Sequence, residues 1–129
     1  MAAMTYAEAK ERLLGLDAHF VTLVPDTGIV ATDVGKIGTI SDNGEWGLGA
    51  DAGVPFGVLA VFETDAVGVQ DRGYVEIDIE HNATPANEVG IGSWVELDGA
   101  GKGALAAAAT GVRAVAVDST NHKAIVRIA

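Results

Sequence analysis

The chain has 129 residues, 49% of them apolar, with no cysteine and 18 acidic against 8 basic side chains, a formal net charge of −10. That length and apolar content predict one domain with a core and argue against disorder. The acidic balance repels phosphate backbones and anionic lipid, so nucleic acid and membrane surfaces are poor partners, and without thiols there is no disulfide framework.

The core is expected to be built of small side chains, because Ala and Val are common and the aromatics are only 2 Trp, 2 Tyr and 3 Phe. Burial stabilises in proportion to apolar area, about 25 cal/mol per Å². The 17 glycines add to the entropy lost on ordering the backbone. Self-association into a homo-oligomer offsets both, and it is expected. The opening stretch has no apolar secretion signal, and no apolar run approaches the roughly 20 residues that span a bilayer, so the chain is expected to be made in the cytoplasm.

Residues 5–16 predict the one helix. Thr5 and Glu8 have capping-box spacing, and Tyr6, Ala9, Leu13 and Leu16 share one face. Three turns are marginal alone in water, so this segment (1–19) either packs on its own domain or is an arm that docks on a neighbour.

Residues 20–129 read as a single β-domain. HFVTLV is a strand that stops at Pro25-Asp26, and 36–40, 45–49 and 57–63 follow as short strands separated by the glycine-rich lobe 41–57. Residues 66–70 are expected to turn at Asp71-Arg72-Gly73 into a second strand, 74–80, whose Val75, Ile77 and Ile79 face opposite to Glu76, Asp78 and Glu80. After the polar connection 81–92 come strand 93–97, a glycine tip at 98–103, and a run ALAAAAT that fits helix or extended chain. Residues 112–117 and 123–128 close the domain as a hairpin. The expected fold is mainly β, a single small antiparallel barrel or sandwich with one helix or arm.

Chemistry-bearing motifs are sparse. Gly99-Ala100-Gly101-Lys102-Gly103 lacks the upstream glycine and the Ser or Thr of a phosphate loop, and reads as a hairpin tip. The Glu76, Asp78, Glu80 ladder reads as a solvated face or an electrostatic contact with a basic partner. His19, His81 and His122 are far apart without metal-site spacing, so no metal and no cofactor is expected. Serines 41, 93 and 119 occupy no nucleophile elbow, and no catalytic residue is assigned. Trp46 is a hydrophobic anchor, covering the barrel end or sitting in a subunit contact.

The order of phrases DVGKIGTIS (33–41), GEWGLGADAGVPFGVL (44–59), AVGVQDRGYVEIDIE (66–80, as a hairpin) and ANEVGIGSWVELDGAGKG (86–103), before a closing apolar hairpin, resembles the bacteriophage capsid decoration (cement) proteins of the β-tulip type. The likeness covers about residues 20–129. Asp98-Gly99 stands one step closer than the family cadence, and the N-terminal helix departs from the shortest members. The resemblance implies a non-enzymatic homotrimer on the outer surface of the virion, bound to the major capsid protein. The expected contact residues are apolar side chains without a seat in the strand pattern: Tyr6, Leu13, Leu14 and Leu16 in the arm, and Trp46, Val54, Pro55 and Phe56 in the lobe. The rival reading is a tail or fibre module that binds a host glycan at Trp46 beside Asp42 and Asn43.

Overall fold

The computed structural model describes residues 3–129. Helix α1 (Tyr6–Leu13) starts where the capping box puts it: the Glu8 N–H donates to Thr5 Oγ1 at 3.2 Å, and the Thr5 N–H donates to Glu8 Oε1 at 3.3 Å. It is shorter than its sequence pattern, because at Gly15 the chain leaves the helix to pair with a strand. The Gly15 N–H donates to the Tyr74 carbonyl at 3.1 Å, and the Tyr74 N–H donates to the Leu16 carbonyl at 3.1 Å. Of the two placements open to this segment, α1 takes the first and packs on its own domain, with Ala9 buried.

Contacts beneath α1 also change the reading of the carboxylate ladder. The Tyr6 hydroxyl donates to Glu76 Oε2 at 2.8 Å, and Lys10 Nζ lies 3.4 Å from the same oxygen. Asp78 and Glu80 stay exposed, Asp78 pairing with Lys123 at 2.6 Å, but Glu76 is roofed by the helix. Burial raises the Tyr6 phenol far above its usual range, and the bond to Glu76 and the neighbouring carboxylates add to the rise. A phenol whose pKa is raised on folding contributes stability that is complete below about pH 10 and is lost as pH climbs beyond it. Tyr6→Phe is therefore expected to cost about 1–2 kcal/mol near neutral pH. Chemical denaturation should show that difference shrinking above about pH 10; a gap that widens there contradicts the assignment.

Nine strands follow: β1 (His19–Pro25), β2 (Ile37–Asp42), β3 (Glu45–Gly47), β4 (Gly57–Phe62), β5 (Val67–Asp78), β6 (Val95–Leu97), β7 (Gly103–Leu105), β8 (Val112–Asp118) and β9 (Lys123–Ile128). The order β1-β3-β2-β4-β5 closes on itself through a β5–β1 pairing, which makes a five-stranded ring. Beyond the ring β5 continues into an antiparallel sheet with β9 and β8, and β6 and β7 pair separately. The ring is antiparallel except at β1 and β3, which run parallel where Val24 and Pro25 meet Glu45 and Trp46.

The central correction concerns β5. Residues 66–70 and 74–80 are not the arms of a hairpin but one 12-residue strand. Asp71-Arg72-Gly73 has turn composition, yet the chain spends the positive φ of Gly73 (98°) on a change of sheet rather than a reversal. Before that point β5 pairs with β1 and β4; from Gly73 onward it pairs with β9. One of the phrases that carries the family resemblance thus has a different conformation from the expected one.

Two cores result. Trp46, Leu59, Val67 and Val69 fill the ring, with Val21, Leu23, Phe56 and Phe62 packed against them. A larger cluster, including Ile77, Ile79, Val95, Leu97, Val112, Val126 and Ile128, lies under the second sheet and the β6–β7 pair. The alanine run is not helical: Gly103–Leu105 forms β7 and residues 106–110 are irregular. At the tip, Asp98 Oδ1 accepts the N–H groups of Ala100 (2.7 Å) and Lys102 (3.0 Å), an ordinary side-chain-closed turn.

Candidate functional site

The expected contact residues divide. Leu14, Leu16 and Val54 are exposed, Val54 by 62%. Tyr6 and Leu13 are half-buried in α1, and Phe56 is half-buried against the ring core. Pro55 is buried and Trp46 is fully buried, with its Nε1–H donating to the Gly57 carbonyl at 3.3 Å. Trp46 is therefore part of the ring's interior and offers no surface to a partner. The residue opposite its ring is Gly38, where a Cβ would overlap the indole and the Gly47 carbonyl, so the ring accommodates the tryptophan by omitting a side chain.

A different apolar surface lies on the outside of the ring. Along β1 Val21 and Leu23 point inward, so Phe20, Thr22 and Val24 point outward. Phe20 is 55% exposed and Val24 54%. Across the ring Thr22 and Val61 both stand opposite Gly68 of β5, and Val61 is 57% exposed. Gly68 carries no side chain, so bare backbone separates the two apolar flanks and the face is a shallow trough. Sequence reasoning missed these residues, although HFVTLV holds the signal: it is apolar on both faces, whereas a strand with one wet face alternates.

A second grouping forms at the far end of β5. The register that pairs Asp78 with Lys123 brings the chain after β5 beside the turn between β8 and β9. The Ile79 N–H donates to the His122 carbonyl at 2.9 Å, and the His81 and His122 rings lie 4.4 Å apart, tilted by 48°. His81 Nδ1 is 2.8 Å from Glu88 Oε1, and that oxygen also accepts the Asn82 N–H at 2.8 Å. The Asn82 N–H holds the Glu88 carboxyl below the usual carboxylate range against the opposing effect of burial, with His81 and the charge of His122 assisting, so Glu88 is an anion at neutral pH. His122 adopts a left-handed backbone (φ 53°), and its Nδ1 is buried without a hydrogen-bond partner. Such an orphan costs about 1–3 kcal/mol. One ring nitrogen from each histidine and one Glu88 oxygen lie within 4.8 Å of one another. His81 and Glu88 meet within one connection, and the β5–β9 register brings the distant His122 to them.

No protein-family model matches this chain, and comparison with curated proteins and solved structures finds no match.

Proposed function

We propose that this chain is a bacteriophage head decoration protein, which binds the major capsid protein on the outside of the expanded shell as a homotrimer and braces it against internal pressure. The observation that carries this reading is the outward apolar trough of Phe20, Val24 and Val61 on a strongly acidic chain. Rigid strands hold an unpartnered apolar surface of this kind ready for a protein contact. The phrase order of the β-domain supports the same reading, and the burial of Trp46 removes the glycan site that the rival reading placed beside Asp42 and Asn43.

The mechanism is additive binding. An interface of standard size, about 1,600 Å², supplies micromolar or tighter affinity. Once one subunit of a trimer is seated, the others bind intramolecularly at high effective concentration. Each contact then opposes the separation of capsid subunits by a few kcal/mol, and the effect sums over the shell.

The test mixes the purified protein with heads of the phage whose genome encodes it. Co-sedimentation with expanded heads, and not with unexpanded ones, is the expected result. The double variant Phe20→Asp/Val61→Asp should weaken that binding by about a hundredfold, since buried apolar anchors dominate interface energy. Both side chains are exposed, so melting temperature should barely move. Wild-type protein that stays in the supernatant, or a double variant that binds as well as wild type, overturns the proposal.

A further inference from the structure

We propose that His81, Glu88 and His122 form a binding site for a zinc-class divalent ion, held by two imidazole nitrogens and one carboxylate oxygen with water at the fourth position. The proposal does not depend on the shell-binding reading.

The donor set suits a transition metal. Two imidazoles and a carboxylate match zinc and its transition-metal neighbours, whereas calcium and magnesium take oxygen ligands almost throughout. The arrangement is already close. Around tetrahedral zinc, donors about 2.0–2.2 Å from the metal stand roughly 3.3–3.5 Å from each other. The three donors here lie within 4.8 Å, and the 2.8 Å contact between His81 and Glu88 is the one a metal would widen as it takes the place of the shared proton. His81 is an exposed side chain, so its ring is free to swing by the ångström or so that closure requires, about one rotamer adjustment.

His122 adds a nitrogen whose hydrogen-bonding capacity is unmet. Its Nδ1 is buried, yet no donor or acceptor of the described chain reaches it. Buried polar atoms are almost always partnered, and an exception is accounted for by local strain, a water or an ion. Here the orphan belongs to a histidine whose ring lies against that of a second, next to a carboxylate whose orientation the Asn82 N–H fixes. Outer bonds of that sort orient metal ligands.

A bound ion would tie the loop 81–88 to the turn before β9. Binding free energy at such a site adds to folding free energy, because the unfolded chain does not gather the three donors. The bound ion is thus a staple between the end of β5 and the closing hairpin.

Chelator-treated full-length protein is titrated with zinc chloride at neutral pH by calorimetry and by thermal unfolding. The expected result is one ion per chain at micromolar or lower Kd, and a rise in melting temperature of about 5–10 °C at a hundredfold excess over Kd. Calcium chloride should give neither. Glu88→Gln and His122→Asn should each weaken zinc binding at least about tenfold; Asn is chosen because it tolerates the left-handed backbone of His122. His81→Ala alters only an exposed side chain, so it keeps the fold and should lose affinity equally. His19→Ala, whose histidine pairs with Asp71, should bind as wild type does. The site is refuted if the wild-type chain shows no saturable zinc binding, if His81→Ala retains it, or if His19→Ala loses as much as the cluster variants.

Discussion

Trp46→Ala is expected to lower the melting temperature by roughly 10–20 °C, the largest effect of any single truncation in the ring. Trp46 is the biggest fully buried side chain of the domain, and it sits among Leu59, Val67 and Val69 where few other large groups fill the interior. Removing an indole from such a place costs about 3–5 kcal/mol, from lost burial and from a cavity the surroundings cannot close. The ring limits that relaxation because it is closed: β3 is held by β1 on one side and β2 on the other. Truncation also removes the Nε1–H that the Gly57 carbonyl accepts. A domain at the low end of ordinary stability, about 5 kcal/mol, would be left near its threshold. Thermal unfolding followed by circular dichroism measures the change. Trp46→Phe should lose clearly less, because much of the volume remains. A melting temperature for Trp46→Ala within about 3 °C of wild type would show that the indole is not a core element.

How much of this was legible in the chain depends on the range of the force involved. The helix start at Thr5 and Glu8, the alternation through Val75, Ile77 and Ile79, and the closing hairpin are local patterns, and each is found where its pattern places it. The fate of Asp71-Arg72-Gly73 was not legible. A glycine with positive φ serves a reversal or a change of sheet equally well, and the choice rests on β1, β4 and β9, which are distant in sequence. Trp46 was misplaced for a related reason. Its short strand 45–49 lies in a glycine-rich lobe that offers no facing apolar pattern, and the space that admits the indole is made by Gly38 across the β2–β3 pair. The outward trough was partly legible from the two-sided apolarity of HFVTLV, whereas the middle of the trough is set by the pairing of Gly68 with both Thr22 and Val61. The histidine cluster was not legible, since His81 and Glu88 share one connection while His122 sits on another, and only the β5–β9 register brings the two together.

Gly73→Ala is expected to be the most damaging of the mildest substitutions, and a glycine series shows why. At Gly73 two penalties coincide. The backbone sits at φ 98°, which an L side chain rarely adopts, and a Cβ would lie 2.6 Å from the Leu16 carbonyl oxygen and 2.7 Å from the Ala18 nitrogen. Both near atoms are main chain, so no rotamer change relieves the overlap. Gly28 isolates the first penalty: its φ is 95°, and a Cβ there meets nothing within 4 Å. Gly68 comes close to isolating the second in mild form: no positive φ, and a nearest contact of 3.4 Å with the Val61 Cβ. Gly28→Ala should cost about 1 kcal/mol, and Gly68→Ala close to zero or a slight gain. Gly73→Ala should cost about 2–5 kcal/mol, the sum of strain and overpacking, with a fall of roughly 7–20 °C in melting temperature. The damage has a definite location. Displacing residues 16–18 breaks the exchange of bonds between Gly15, Leu16 and Tyr74, the seam that seats α1 against β5. Hydrogen exchange at the Gly15 and Tyr74 amides should therefore accelerate in Gly73→Ala well beyond the change in global stability, while the Val69 region of the ring follows the global change alone. If Gly73→Ala costs no more than Gly28→Ala, the close approach of 16–18 contributes nothing, and β5 changes sheets for reasons of backbone conformation only.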